Sequence, residues 1–463
     1  MKKEVIDTRN LRAIAGNLRK GLVLTSKQLK EERMKNWIFS IIAVATAVTV
    51  WHAMPAFAAK IDVGGELRAR AYMIQSADFT ETGDANWLDA RFRLDAKISQ
   101  GMTTGVVQLD FLNASTDSAG GAGMDSTGNL ILGNDTGNSY PLVGVRQAYL
   151  AINFPAFTVI GGRYEAKLGN GLVLNDTADL VAVVAPVGPV NLLVGYLLLG
   201  ENDAPQPAEN PAGDDTAFAV NAGLKNLAGS GVDVNLFLVS AYLQSVDPGD
   251  TKLQVVGLTG NGKVGPANVA AELDIFSGDA TSARSFTGTN FLLSGGMPVG
   301  SIGLNAAILY ASGDSDIADA TDDVNINTID GDFRASNILV RDDFNNYEGV
   351  SSLSVGAGAL GSYLINGLGL QAIKVAATLP SHKMLNVTHT PEIGLVYART
   401  SEDDADGDND LGVEIYANTN CVFDQNLSGN IGLAFVSAGD ALAAAPAKAE
   451  DQLKIEASLT FHF

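Results

Sequence analysis

Residues 60–73, KIDVGGELRARAYM, put Ile61, Val63, Leu67, Ala69, Ala71 and Met73 on one phase of a two-residue period, with Gly65 in the same row. Asp62, Glu66, Arg68, Arg70 and Tyr72 occupy the other phase. Residues 87–99, WLDARFRLDAKIS, repeat the arrangement, with Leu88, Ala90, Phe92, Leu94, Ala96 and Ile98 against Asp89, Arg91, Arg93, Asp95 and Lys97. The chain closes on IEASLTFHF, where Ile455, Ala457, Leu459, Phe461 and Phe463 alternate with polar residues. Alternation of this kind predicts strands with one apolar face. The same texture predicts strands at 60–73, 87–99, 103–112, 144–154, 157–165, 177–186, 190–200, 215–226 and 231–242. It continues at 252–261, 267–276, 300–311, 348–358, 362–376, 389–399, 411–421, 426–437 and 452–463.

The connectors are of two kinds. SQGM at 99–102 is tight, whereas 113–141, 201–214, 312–346 and 401–410 are long, acidic and rich in Gly, Asn and Asp. Strands long enough to cross a bilayer at a tilt, short turns at one end and long loops at the other are the pattern of an outer-membrane barrel. The expected fold class is therefore all-β, a transmembrane antiparallel β-barrel of about 18 strands (range 16–20) with long outer loops. A β-helix would show a regular internal repeat, and none is visible. A strand that ends on Phe463 suits the rim of such a barrel, because aromatic rings settle at the bilayer interface. Phe461 and Phe463 are thus the expected terminal barrel signature, and the barrel-assembly machinery is an expected partner.

Residues 34–58 change the picture at the other end. Lys35, an apolar run to Trp51, Pro55 and Ala56-Phe57-Ala58 have the layout of a secretory signal peptide. Residues 1–33 are basic and polar, Met34 is the simplest start, and the first 33 residues read as a non-native or disordered extension. Residues 59–463 then form one barrel domain with no dividing linker, localised to the cell outer membrane. Residues 1–58 hold ten of the 30 basic and four of the 52 acidic residues, so 20 basic groups face 48 acidic ones in the remainder. That excess argues against nucleic-acid partners. Cys421 is the only cysteine, which rules out an internal disulfide.

VRQAYLAINF (145–154), FTVIGGRYEAKLGNGLVL (157–174) and LGVEIYANTNCVFDQNLSGNIGLAF (411–435) resemble an outer-membrane porin family, the alginate-export-like β-barrels and the porins of metal-reducing bacteria. The resemblance implies an 18-stranded monomeric channel with an arginine-lined lumen. Members that export alginate use such residues to pass an anionic polymer. Here the basic residues are few and the loops acidic, a departure from that pattern.

Arg68, Arg70, Arg91, Arg93 and Lys97 lie opposite apolar rows, where a lipid-facing placement would cost each about 2–4 kcal/mol at the midplane. Together with Glu66 and Arg163 they are the candidate lumen-lining selectivity residues. Two readings of this basic wall stand side by side: cross-strand ion pairs that stiffen the barrel, or a strip that focuses field on passing anions. The less regular stretch 161–176 reads as a rim turn with its polar side chains bent inward. Asp404, Asp406, Asp408 and Asp410 offer oxygen ligands for a loosely held Ca²⁺ or Mg²⁺, but their spacing departs from an EF-hand, and an exposed solubilising loop is the preferred reading. No cofactor is expected otherwise. No nucleophile elbow or Cys-x-x-Cys-His occurs, so no enzyme is expected. The expected function is a porin for passive diffusion of small hydrophilic solutes with weak anion preference, in contact with outer-membrane lipid and lipopolysaccharide. The alternatives are a specific transporter or exporter of an anionic substrate or polymer, and a structural barrel that serves an electron-transfer or surface complex.

Overall fold

The computed structural model describes residues 59–76, 85–115, 143–200, 215–242, 251–280, 285–314, 324–325, 336–340, 368–403, 407–442 and 449–463. The extension and signal expected over 1–58 lie outside the described residues, as do Asp404, Asp406 and the strand expected at 348–358. Eighteen strands form the wall. They are β1 (Lys60–Gln75), β2 (Ala85–Gln100), β3 (Thr103–Ser115), β4 (Val143–Asn153), β5 (Thr158–Leu168), β6 (Leu174–Val187), β7 (Val190–Gly200), β8 (Asp215–Leu224) and β9 (Val232–Tyr242). There follow β10 (Lys252–Val264), β11 (Ala267–Asp279), β12 (Ser285–Val299), β13 (Ile302–Ala311), β14 (Leu370–Thr378), β15 (Val387–Arg399), β16 (Asp410–Val422), β17 (Leu427–Ala438) and β18 (Gln452–His462).

Each strand pairs antiparallel with its predecessor. The last strand returns to the first, with Glu66 opposite His462 and Gln75 opposite Leu453. Closure leaves no unpaired edge, which a lipid environment would penalise heavily. Two short segments add to the wall. Val324–Asn325 runs parallel against β12, and His382–Met384 folds back on β15. The second uses Leu385 and Asn386 at φ 53° and 66°, the left-handed pair that a two-residue hairpin turn requires.

The period of two now has a physical meaning. In β1 the exposed residues include Ile61, Val63, Leu67 and Met73, while Arg70, Tyr72 and Ile74 are buried. The register carries this parity round the wall, with Leu236, Ile275, Leu293, Ile373, Leu395, Ile415 and Leu433 all exposed on the outer face. An apolar outer belt is what lipid contact selects.

β12 escaped the sequence reading. In SFTGTNFLLSGGMPV, Phe286 and Leu292 are buried while Phe291 and Leu293 are exposed, and small or polar residues separate them on both faces. Apolar residues on both phases erase the alternation. The observed 18 strands thus match the expected number with one member different: β12 is present, and the segment 348–358 lies outside the described residues.

The seam explains the terminal aromatic. Phe463 and Gly65 exchange both backbone hydrogen bonds, at 3.1 and 3.2 Å. A Cβ on Gly65 would lie 2.5 Å from the tip of the Phe463 ring, so only glycine lets that ring lie against β1. Phe463 stacks on Phe92 (centroids 6.0 Å apart) and on Phe461 (6.2 Å), and Phe92 meets Phe111 at 5.3 Å. The four rings form an aromatic cluster across the closure.

Among the described residues, two segments enter the interior. β5 pairs with β6 along its full length, yet the β4–β5 ladder stops at Ala148 opposite Arg163 and the β6–β7 ladder stops at Asp179 opposite Leu198. Beyond those pairs the hairpin 164–178 leaves the wall. Leu168, Val173, Leu174 and Ala178 bury themselves with the inward-facing Phe237, Val239, Val255 and Phe276. The tip is held by the Asn170 N–H, which donates to Glu272 on β11 at 2.5 Å. The second segment, 336–340, buries Ile338, Leu339 and Val340 among Leu172, Leu309, Leu370, Val396, Leu411 and Val436. Leu172 is the hairpin's contribution to that group.

Candidate functional site in the lumen

Strand parity turns Glu66, Arg68, Arg70, Arg91, Arg93 and Lys97 toward the interior, because each shares a phase or a register pair with buried or inward-bonded residues. Their chemistry then divides. Arg91 donates to Glu66 from both Nε (3.2 Å) and Nη2 (2.5 Å). Arg93 donates to the two carboxylate oxygens of Asp110 at 2.5 and 3.0 Å, a forked arrangement that fixes the guanidinium. Gln108 donates to Asp95 at 2.6 Å and continues this polar chain toward β4. These residues make a cross-strand ion-pair wall. Lys97 sits opposite Asp62 toward the tight-turn end, where Asp62 also lies 2.9 Å from Lys60.

Arg68 and Arg70 belong to a different environment. They line a cavity of about 470 Å³ together with Tyr72, Ser336, Asn337, Lys374, Glu392, Tyr416, Asn418 and Glu456. Tyr72 lies beneath two cations, with Arg70 Cζ 5.5 Å and Lys454 Nζ 5.1 Å from its ring centre. Across the cavity Lys374 Nζ sits 5.4 Å from the Tyr416 ring and 4.0 Å from Glu392. The Tyr416 hydroxyl donates to Glu392 at 2.9 Å, and Thr378 donates to its other oxygen at 3.2 Å. Gly394 makes this possible: a Cβ there would meet the Tyr416 ring at 2.3 Å.

Arg163 lies apart from this cavity. It occupies the last wall pair before the inward hairpin, 3.6 Å from Asp179 and 3.5 Å from Thr177, half exposed. β5 leaves β4 at this residue, so Arg163 stands at the root of the hairpin and not among the ion pairs of β1–β3. The rim turn expected over 161–176 is in fact part of the inward hairpin 164–178 and its root, with Glu165 within 3.3 Å of Gln147 and 3.6 Å of Arg146.

The remaining candidates are placed as follows. Asp410 accepts from the Gly412 N–H at 3.0 Å, and the Asn409 amide caps Asp403 at 2.7 Å, so the described ends of the acidic loop close on themselves. His382 stacks on His389 at 5.5 Å, and Cys421 Sγ is 3.4 Å from His389 Nδ1. Among the described residues no three such groups form a metal-binding set.

Sequence reasoning missed Lys374, Lys454, Glu392, Tyr416 and Glu414. The phase argument that finds Arg68 would find them too, since each has at least one exposed isoleucine next to it on its strand. Ser336 and Asn337 had a fainter signal: SNILV places three consecutive apolar residues after a long polar, acidic loop.

Comparison with known proteins finds no matching family model and no matching curated protein. Solved structures do match. OccK8 (OprE) of Pseudomonas aeruginosa aligns with a TM-score of 0.51 at 12% identity, over 87% of this chain and 98% of that one. A BenF-like porin from Pseudomonas fluorescens gives 0.51 at 13%, over 87% and 99%. OccAB1 of Acinetobacter baumannii gives 0.52 at 10%, over 87% and 96%. These matches carry the porin part of the resemblance and not its alginate-export or metal-reducer part. The closed 18-strand barrel, its apolar belt and its polar interior give this chain the fold of the outer-membrane porins of Gram-negative bacteria.

Proposed function

We propose that the chain is an outer-membrane channel for passive diffusion of small hydrophilic solutes, with a weak preference for anions. The observation that carries this reading is the lumen cavity of about 470 Å³, in which Arg68, Arg70 and Lys374 face Glu392 and Glu456. Three cations against two carboxylates leave a small positive excess where the walls are of low dielectric and the field is concentrated. Arg91 and Arg93 contribute less to this excess, because Glu66 and Asp110 neutralise them at contact distance. The cavity has the size of a small-molecule site. Two inward segments fill part of the barrel, which favours small solutes over a polymer.

Reconstitution in a planar bilayer under a salt gradient tests the reading. Discrete conductance steps with a reversal potential displaced toward the anion side are expected. Loss of all conductance in correctly folded barrels would overturn it. A specific site for one anionic solute is the second reading, favoured by the paired tyrosine and cation contacts of Tyr72 and Tyr416. Conductance that saturates with one carboxylate solute, and with no other small anion, would select it.

A further inference from the structure

Glu414 lies on β16, fully buried and facing the interior. Its two carboxylate oxygens accept three consecutive backbone N–H groups: Asn337 to Oε1 at 2.8 Å, and Ile338 and Leu339 to Oε2 at 3.1 and 2.8 Å. Successive amides converging on one anion form a nest, which compensates a buried charge as a counterion would. The segment is fastened further. Val340 N–H donates to Ser336 Oγ at 2.8 Å, and Ser336 N–H donates to the Val340 carbonyl at 2.9 Å. Asn337 exchanges amide hydrogen bonds with Asn418 at 2.8 and 3.2 Å. The Lys454 ammonium donates to the Asn337 carbonyl at 3.1 Å and lies 3.2 Å from Glu456.

The consequence falls on the cavity. Ser336 and Asn337 line it together with Arg68 and Arg70, whereas Glu414 is not among its lining residues. The carboxylate stands behind the segment and sets where its polar end lies. Lys454 is drawn into the same contact, so the position of one cation in the lumen depends on it as well.

We propose that Glu414 is a specificity-determining residue of the channel that acts without touching the solute: it positions 336–340 so that Ser336 and Asn337 bound the solute path, and Lys454 is held in place through the Asn337 carbonyl. The inference rests on the channel reading above. It requires the carboxylate form, since a carboxamide presents one acceptor and one N–H₂ group, and the latter faces amides that can only donate.

The experiment compares wild-type protein with Glu414→Gln and Glu414→Asp, refolded in detergent and in bilayers. Hydrogen exchange reads the latch directly. A lost charge-assisted acceptor should reduce protection of the Asn337, Ile338 and Leu339 amides by about tenfold or more in Glu414→Gln. Glu414→Asp retains the charge but withdraws it by one methylene, and an intermediate loss is expected. The reversal potential under a salt gradient reads specificity, and it should move in the same order across the three proteins while the thermal midpoint of the barrel stays within a few degrees. Unchanged protection in Glu414→Gln overturns the latch. Reduced protection with an unchanged reversal potential overturns the role in specificity. If Glu414→Gln fails to fold, the Asp variant alone decides on the same two readings. A wild-type barrel that conducts nothing defeats the channel reading, while the exchange data still test the latch.

Discussion

Replacing Arg68 by Gln removes one of the three cations that line the lumen cavity. The magnitude follows from Coulomb's law. A permeating monovalent ion about 6 Å from the guanidinium, at an effective dielectric between roughly 20 and 80, interacts with it by about 0.7–2.8 kcal/mol. Taking about 1 kcal/mol, the anion-to-cation permeability ratio should fall by roughly fivefold from the loss of attraction alone. The control is the double substitution Glu66→Gln with Arg91→Gln. It removes a contact pair of zero net charge, so its field at the ion path nearly cancels. The assay is the reversal potential of single channels across a tenfold salt gradient, repeated at high salt, where screening should shrink the Arg68 effect. This division of roles gives selectivity to the cavity cations and stiffness to the ion-pair wall. It is refuted if the neutral double variant shifts the reversal potential as far as Arg68→Gln does, or if Arg68→Gln leaves it unmoved.

Truncating Phe463 to Ala should destabilise the closure by about 1–2 kcal/mol through lost aromatic contacts with Phe92 and Phe461, seen as easier heat unfolding on gels. Gly394→Val should push the Tyr416 ring off β15 and break its bond to Glu392, costing about 1–3 kcal/mol and changing the near-ultraviolet dichroism; an unchanged spectrum would show that the ring has another resting place. Glu272→Ala should release the hairpin tip at Asn170, and trypsin should then cleave after Lys167 several-fold faster in detergent; equal cleavage rates would mean that the apolar contacts of Leu168 and Val173 hold the hairpin without it.

The wall was legible because a closed barrel in lipid imposes one rule on nearly every strand. Residues of one phase meet hydrocarbon and those of the other meet the interior, so β1, β2 and β18 announce themselves by alternation. The rule fails where the interior is itself apolar. Behind β7–β12 the hairpin 164–178 packs against Phe237, Val239, Val255 and Phe276, so these strands carry hydrophobic residues on both faces. That is why alternation does not reveal β12. The blurred pattern was itself a trace of the inward hairpin: an antiparallel wall with apolar residues on both phases must have something other than water against its inner face.

The candidate site was legible in part for a related reason. Phase alone places Arg68 and Arg91 on one inner face, directly opposite each other. Phase cannot say that Arg91 is held by Glu66 while Arg68 faces the cavity, because that depends on what fills the barrel from above. The filling is set by long-range contacts. Glu414 meets Asn337 across 77 positions in sequence, and Glu272 meets Asn170 across 102. Neither contact follows from a local period. Both have the same form, however: an inward carboxylate on a strand receives the backbone N–H of a segment that has left the loops. In these two cases a buried carboxylate without a cationic cross-strand partner marks the place on the barrel wall where an inserted segment ends, since its charge is met by donors from elsewhere. Glu414 satisfies this condition on sequence and register alone. Its cross-strand partners are Val396 and Val436, so the donors for a carboxylate between two valines had to be supplied from within the lumen.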